Sequence, residues 1–131
     1  MLPQLRFWAI ASHMPLLFRG ATLHRAALAV AAAREFVLAE RLFETAALRY
    51  RTELMVPALA RLRVHQLMAR AEDCLERDRD AALEYSGEIA RRLQSLDVIE
   101  DPSPPFRPVA AADLVAMWTA RFSGHAEARA A

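Results

Sequence analysis

Residues 34–51 read REFVLAERLFETAALRYR, and residues 75–93 read LERDRDAALEYSGEIARRL. In the first stretch Phe36, Ala39, Phe43, Ala46 and Tyr50 recur at spacings of three and four, and Leu42, Ala47 and Leu54 widen the stripe. Glu40, Arg41, Glu44, Arg49 and Arg51 fall largely off it. This is the period of a helix with one buried face. In the second stretch Ala82, Tyr85, Ile89, Leu93 and Leu96 repeat the period, and Asp78 or Asp80 can serve as N-cap. Two such segments in a short chain predict antiparallel helical hairpins.

Between them, Pro57 suits the first turn of a helix, where a missing N–H is harmless. Ala60, Val64, Leu67, Ala71 and Leu75 form one face of that helix, with Met68 and Cys74 at its edges. Leu59 and Leu62 point away from this face, so the helix reads as sandwiched, with the N-terminal residues an available cover. Upstream, Thr22 is a good N-cap, and neither Gly nor Pro follows it before Pro57. The run over 22–54 is either one long helix or two that meet near Arg34 and Glu35. Mean helix length favours two; local propensity, with no breaker in Ala-Ala-Ala-Arg-Glu-Phe, favours one, and the reading leans to one.

Downstream, prolines 102, 104, 105 and 108 make 97–108 a stiff, extended linker. A last helix over 109–123 places Leu114, Val115, Trp118 and Phe122 on one side, Asp113 in its early turns and Gly124 as its stop. The expected fold class is therefore all-α: antiparallel helical hairpins in a small bundle, with a Pro-rich linker before a C-terminal helix. The expected division is an apolar arm over 1–21, a hairpin core over 22–96, the linker over 97–108, and a helix with its tail over 109–131, one domain overall. The expected core holds Phe36, Ala39, Phe43, Tyr50, Val64, Leu67, Ala71, Leu75, Tyr85, Ile89 and Leu93.

Composition narrows the function classes. All 17 basic residues are Arg, a usage that fits the codon bias of a GC-rich, bacterial genome. The formal charge is +1, so no global basic field gathers nucleic acid. A single cysteine, Cys74, excludes an internal disulfide and fits a reducing cytoplasm. No apolar run approaches the roughly 20 residues of a membrane helix. Residues 26–33 loosely resemble a signal-peptide core but lie too deep in the chain and continue an amphipathic pattern.

Candidate chemistry is sparse. His13, His24, His65 and His125 have no metal-ligand spacing; His24 reads as lying on a helix start and His65 on a polar face. Cys74, on an apolar face, reads as a core thiol. No catalytic residue, metal site or cofactor is expected. Two surfaces remain. The arm and the last helix offer Phe7, Trp8, Leu16, Leu17, Phe18 and Trp118 to a protein partner or a second copy. Arg49, Arg51, Arg61, Arg63 and Arg70, beside His65, flank the turn at Pro57 and offer an anion-binding alternative. Pairing of these arginines with the acidic segment after Asp78 competes with that role.

The stretch from Leu75 through Arg77, Asp78 and Asp80 to Ala81-Ala82-Leu83-Glu84-Tyr85 resembles the inter-helix turn of the tetratricopeptide family and the helix that follows it. Phe36, Ala39, Phe43 and Ala46 are similar to that family's aromatic and small positions, whereas Arg34 and Arg77 stand where its turn often carries Gly. The resemblance, over roughly 22–93, implies a scaffold that binds peptides or proteins without chemistry of its own. The expected function is a non-catalytic interaction module or accessory subunit. The alternative is a small nucleic-acid-associated subunit that uses the arginine cluster.

Overall fold

The computed structural model describes residues 18–130, with side chains as far as residue 122. Expectations for Phe7, Trp8, Leu16 and Leu17 lie outside the described residues. Those described form α1 (Gly20–Ala32), α2 (Phe36–Thr52), α3 (Val56–Cys74), α4 (Arg79–Leu93), β1 (Val98–Glu100), β2 (Pro108–Ala110) and α5 (Ala111–Ala130). The result is a small helical bundle in which α1, α2, α3 and α4 each pack mainly on their neighbours in sequence, and α5 packs on α4.

The long helix favoured over 22–54 is two helices. Arg34 takes a left-handed conformation at φ 64°. Its N–H donates to the Ala31 carbonyl (2.9 Å), and the Glu35 N–H donates to the Val30 carbonyl (3.1 Å). That reversed pair of bonds closes a helix without glycine. The next turn repeats it: Leu54 sits at φ 57°, and the Met55 N–H reaches the Tyr50 carbonyl at 2.9 Å. A non-glycine residue there costs about 1–2 kcal/mol. Folding α1 back on α2 buries Leu23, Ala27, Val30, Leu42 and Phe43, and burial of each large side chain stabilises by roughly 1.5–3 kcal/mol. Burial wins.

Helix α1 begins at Gly20, not after a Thr22 cap. The Glu53 carboxylate, from the end of α2, accepts the Gly20 N–H at 3.1 Å and so supplies from a neighbour the acceptor that a cap would provide. At α4 the expectation holds: Asp78 is the N-cap, and its carboxylate accepts the Ala81 N–H at 3.1 Å.

The proline-rich segment is not a simple extended linker. It closes into an antiparallel ribbon pairing Val98 with Ala110, Ile99 with Val109 and Glu100 with Pro108. Pro108 stands at the start of its strand, where a two-stranded ribbon tolerates a missing donor. Fully buried Ile99 pins the ribbon to the helices. Helix α5 also runs past Gly124, expected as its stop, to Ala130.

Two apolar clusters form the core. One gathers Leu23, Leu28, Leu42, Phe43 and Leu62; the other gathers Met68, Ile89, Leu93, Ile99, Leu114 and Trp118. Helix α3 serves both, giving Ala58, Leu62 and Ala69 to the first and Val64, Met68 and Ala71 to the second. It is sandwiched, as its two apolar sides predict, with α1 and α2 covering the side of Leu62. Ala60, assigned to a buried face, is exposed. Of the predicted core, Phe36, Leu67 and Tyr85 are only partly buried, and the rest are buried.

Candidate functional site

His24 lies near the start of α1, as the sequence reading put it, whereas His65 does not lie on a polar face. His24, in the second turn of α1, and His65, midway along α3, are both buried. They join a hydrogen-bonded chain across four elements. The Tyr50 hydroxyl of α2 lies 3.0 Å from His24 Nδ1. His24 Nε2 lies 2.7 Å from His65 Nδ1, and His65 Nε2 lies 2.7 Å from the Glu100 carbonyl oxygen of β1.

The carbonyl can only accept, so His65 Nε2 carries a proton and donates. Neutral His65 then accepts at Nδ1 from His24 Nε2–H, and His24 accepts at Nδ1 from the Tyr50 hydroxyl. Every hydrogen bond points from α2 towards β1, and each ring nitrogen is used. Burial favours this neutral arrangement. It holds His24 well below the usual imidazole range, with His65 and Arg61 adding to the effect. Burial likewise lowers His65, against the opposing pull of the Glu100 carbonyl. Burial pushes the Tyr50 phenol up to about 12. With both rings neutral and saturated, the chain is a polar strut through the core. Among the described residues, no three His, Cys, Asp or Glu side chains are grouped to hold a metal ion.

The sequence did carry a signal for this pair. His65 lies three positions after Leu62 and four before Ala69, on the stripe that α3 turns towards α1 and α2. A histidine aligned with buried residues on one helix, opposite another so aligned, is a candidate buried pair.

Four of the five anion-site arginines are engaged within the chain. Arg49 Nε donates to the Phe18 carbonyl at 3.0 Å, and its Nη2 lies 3.5 Å from Glu53. Arg61 lies 3.9 Å from Glu100, and Arg63 pairs with Glu44 at 3.2 Å. Arg70 Nε donates to Glu40 at 3.1 Å, while Arg51 is exposed. Their partners therefore come from Phe18 before α1, from α2 with Glu53 just beyond it, and from β1, not from the acidic segment after Asp78. Buried Gln66 organises part of this seam: its amide donates to Glu40 (3.1 Å) and Glu44 (2.7 Å), and its oxygen accepts from Arg63 (2.7 Å). The Gln66 hydrogen bond is the main reason Glu44 lies below the ordinary carboxylate range.

Of the docking residues within the described chain, Phe18 is partly buried against the first cluster and Trp118 is only 6 % exposed in the second. The Cys74 thiol is partly buried, near the Ala71 carbonyl, and burial raises it away from the reactive thiolate. The exposed apolar surface lies elsewhere. At the turn between α2 and α3, Leu54 (84 %), Met55 (44 %) and Val56 (71 %) stand in solvent. Leu48, in the second half of α2, is exposed too. Three consecutive large apolar residues where a turn ordinarily carries polar ones were visible in the sequence.

A cavity of about 240 Å³ opens beside this framework, between α1, α3, α5 and the loop of the β-ribbon. Leu28, Phe43, Met68 and Trp118 form apolar wall, and Arg34, Glu72 and Arg121 ring its edge. Comparison with protein-family models, curated proteins and solved structures returned no match.

Proposed function

We propose that this chain is a non-catalytic helical module, an accessory subunit that docks a protein partner through the turn between α2 and α3. The observation that carries the reading is Leu54, an aliphatic side chain 84 % exposed and held at φ 57°. Stability alone selects glycine at that position, since glycine alone avoids the left-handed penalty. A large apolar residue kept in a strained, wet position points to a task outside the fold. Met55 and Val56 extend it into a patch of the kind that marks interaction sites. The tetratricopeptide resemblance supports the same class of function: Ala39, Phe43 and Ala46 lie fully buried between neighbouring helices, where that family packs its small and aromatic residues. A reducing, cytoplasmic setting in a bacterial cell belongs to this proposal. What the described residues establish on that point is narrower: no helix among them is long and apolar enough to cross a membrane.

The test separates folding from docking. Leu54→Gly is expected to raise the melting temperature while abolishing the partner complex captured by the unmodified chain, or its self-association in light scattering. Val56→Asp is expected to abolish the same complex with little change in stability. Complexes that survive both substitutions would overturn the proposal.

A further inference from the structure

We propose that the cavity between α1, α3 and α5 binds a small carboxylate with an apolar body, a medium-chain fatty acid or an arylalkanoate. Its edge is a charge clasp built from three helices. The Glu72 carboxylate of α3 accepts from Arg121 Nη2 of α5 at 2.9 Å and lies 3.8 Å from Arg34 Nη1, in the turn after α1. Two guanidinium groups thus converge on one carboxylate. Aromatic rings position both: Arg34 lies 5.3 Å from the centroid of Phe36, and Arg121 lies 6.0 Å from that of Trp118. Glu72 is itself held back, its side chain only 14 % exposed, whereas Arg34 and Arg121 are more than half exposed and able to turn towards a ligand.

The second observation is independent of the clasp. Trp118, 6 % exposed, lines the cavity, and its buried indole N–H has no acceptor among the described residues. Buried donors are nearly always paired, so this one calls for an acceptor. His65 cannot serve, because both of its ring nitrogens are engaged. An unpaired indole donor and two exposed guanidinium groups, at a hollow lined mainly by apolar side chains, select an acceptor-bearing anion over an amine. Planar carboxylates suit guanidinium best through paired hydrogen bonds. Apolar cavities of about 150 Å³ hold a benzene ring, so 240 Å³ accommodates on the order of ten non-hydrogen atoms.

Octanoate is the probe. The chain has two tryptophans, so Trp8→Phe leaves Trp118 as the sole indole, and its N–H signal in nitrogen-15 NMR reports on the cavity directly. Octanoate below its micellar concentration is expected to shift that signal saturably, downfield as the N–H gains an acceptor, and to bind at least tenfold more tightly than octylamine. Arg34→Ala with Arg121→Ala should weaken octanoate at least tenfold. Ala32→Phe, at an exposed position on the cavity edge, should block it without lowering the melting temperature. An indole signal that does not move, equal or tighter binding of octylamine, or binding that persists in the arginine and Ala32→Phe variants would each overturn the assignment. None of these readouts involves the apolar turn at Leu54, so this result and that of the docking experiment stand apart.

Discussion

A methyl group at residue 20 would lie 2.5 Å from Tyr50 Cδ1 and 2.8 Å from Glu53 Oε1. Tyr50 has little room to retreat, because its hydroxyl is bonded to His24 and its ring lies edge-on against that imidazole. Glu53 is held by the Gly20 N–H itself. Gly20→Ala is therefore expected to destabilise by about 1–3 kcal/mol, as overpacking does. Gly87 is the internal contrast: a methyl group there would meet only Arg91 Nη1, at 3.6 Å. Gly87→Ala, in the middle of α4, should stabilise by roughly 0.5–1 kcal/mol through helix propensity. Thermal unfolding of the two variants checks both signs, and a Gly20→Ala chain as stable as the parent would contradict the close packing described. At this scale the sequence was least legible. Which glycine lies against a ring and which histidine faces another depend on how separate helices meet, and periodicity along one helix does not contain that.

Elements were easier to read, and their ends explain why some were missed. The start of α4 carries a local signal, Asp78, whose carboxylate bonds within its own first turn. Asp78→Ala should cost about 1 kcal/mol, measured as a lower urea midpoint with an unchanged slope. The start of α1 carries no such signal, because its acceptor is Glu53, 33 residues away. The break between α1 and α2 was equally silent: Arg34 is a good helix former placed in a left-handed turn by the burial of the helices it joins. The ribbon was hidden by its brevity. Three residues per strand, one of them proline, give no alternating pattern to detect. The exposed apolar turn is legible as the run Leu54-Met55-Val56-Pro57, although the spacing of Leu54 also extends the stripe of α2. The clasp of Arg34, Glu72 and Arg121 is not legible, since its members sit far apart in sequence and pair only through tertiary structure.

For the molecule as a whole, the buried histidines set the response to acid. Folding holds His24 and His65 below the ordinary value of 6.5, so the unfolded chain binds more protons than the native one as pH falls past that value. Their stabilising share is full above about pH 6.5 and is lost as pH drops through the folded values. Glu44, also lowered, adds to the loss below its ordinary 4.5. Tyr50 works from the other side. Its phenol is raised from 10.0 to about 12, so stability present below pH 10 is lost between those values. Urea unfolding is expected to give a plateau from near pH 7 to near 9, where the raised Cys74 thiol starts to lose its share, falling on both sides. A midpoint that stays flat between pH 7.5 and 5 would contradict the neutral chain of Tyr50, His24 and His65.

That chain has a further consequence, because of where its members live. The first apolar cluster belongs to α1, α2 and one side of α3; the second belongs to the other side of α3, α4, the ribbon and α5. Two oil-like cores sharing one helix could melt in turn, each at its own temperature. Tyr50 and His24 stand in the first, His65 is carried by the shared helix, and the Glu100 carbonyl stands in the ribbon of the second. Unfolding either half strands a buried imidazole of the other without its partner. The polar thread therefore ties the two clusters together, and calorimetry is expected to show one melting transition in the parent chain and a broadened or split one in His65→Leu.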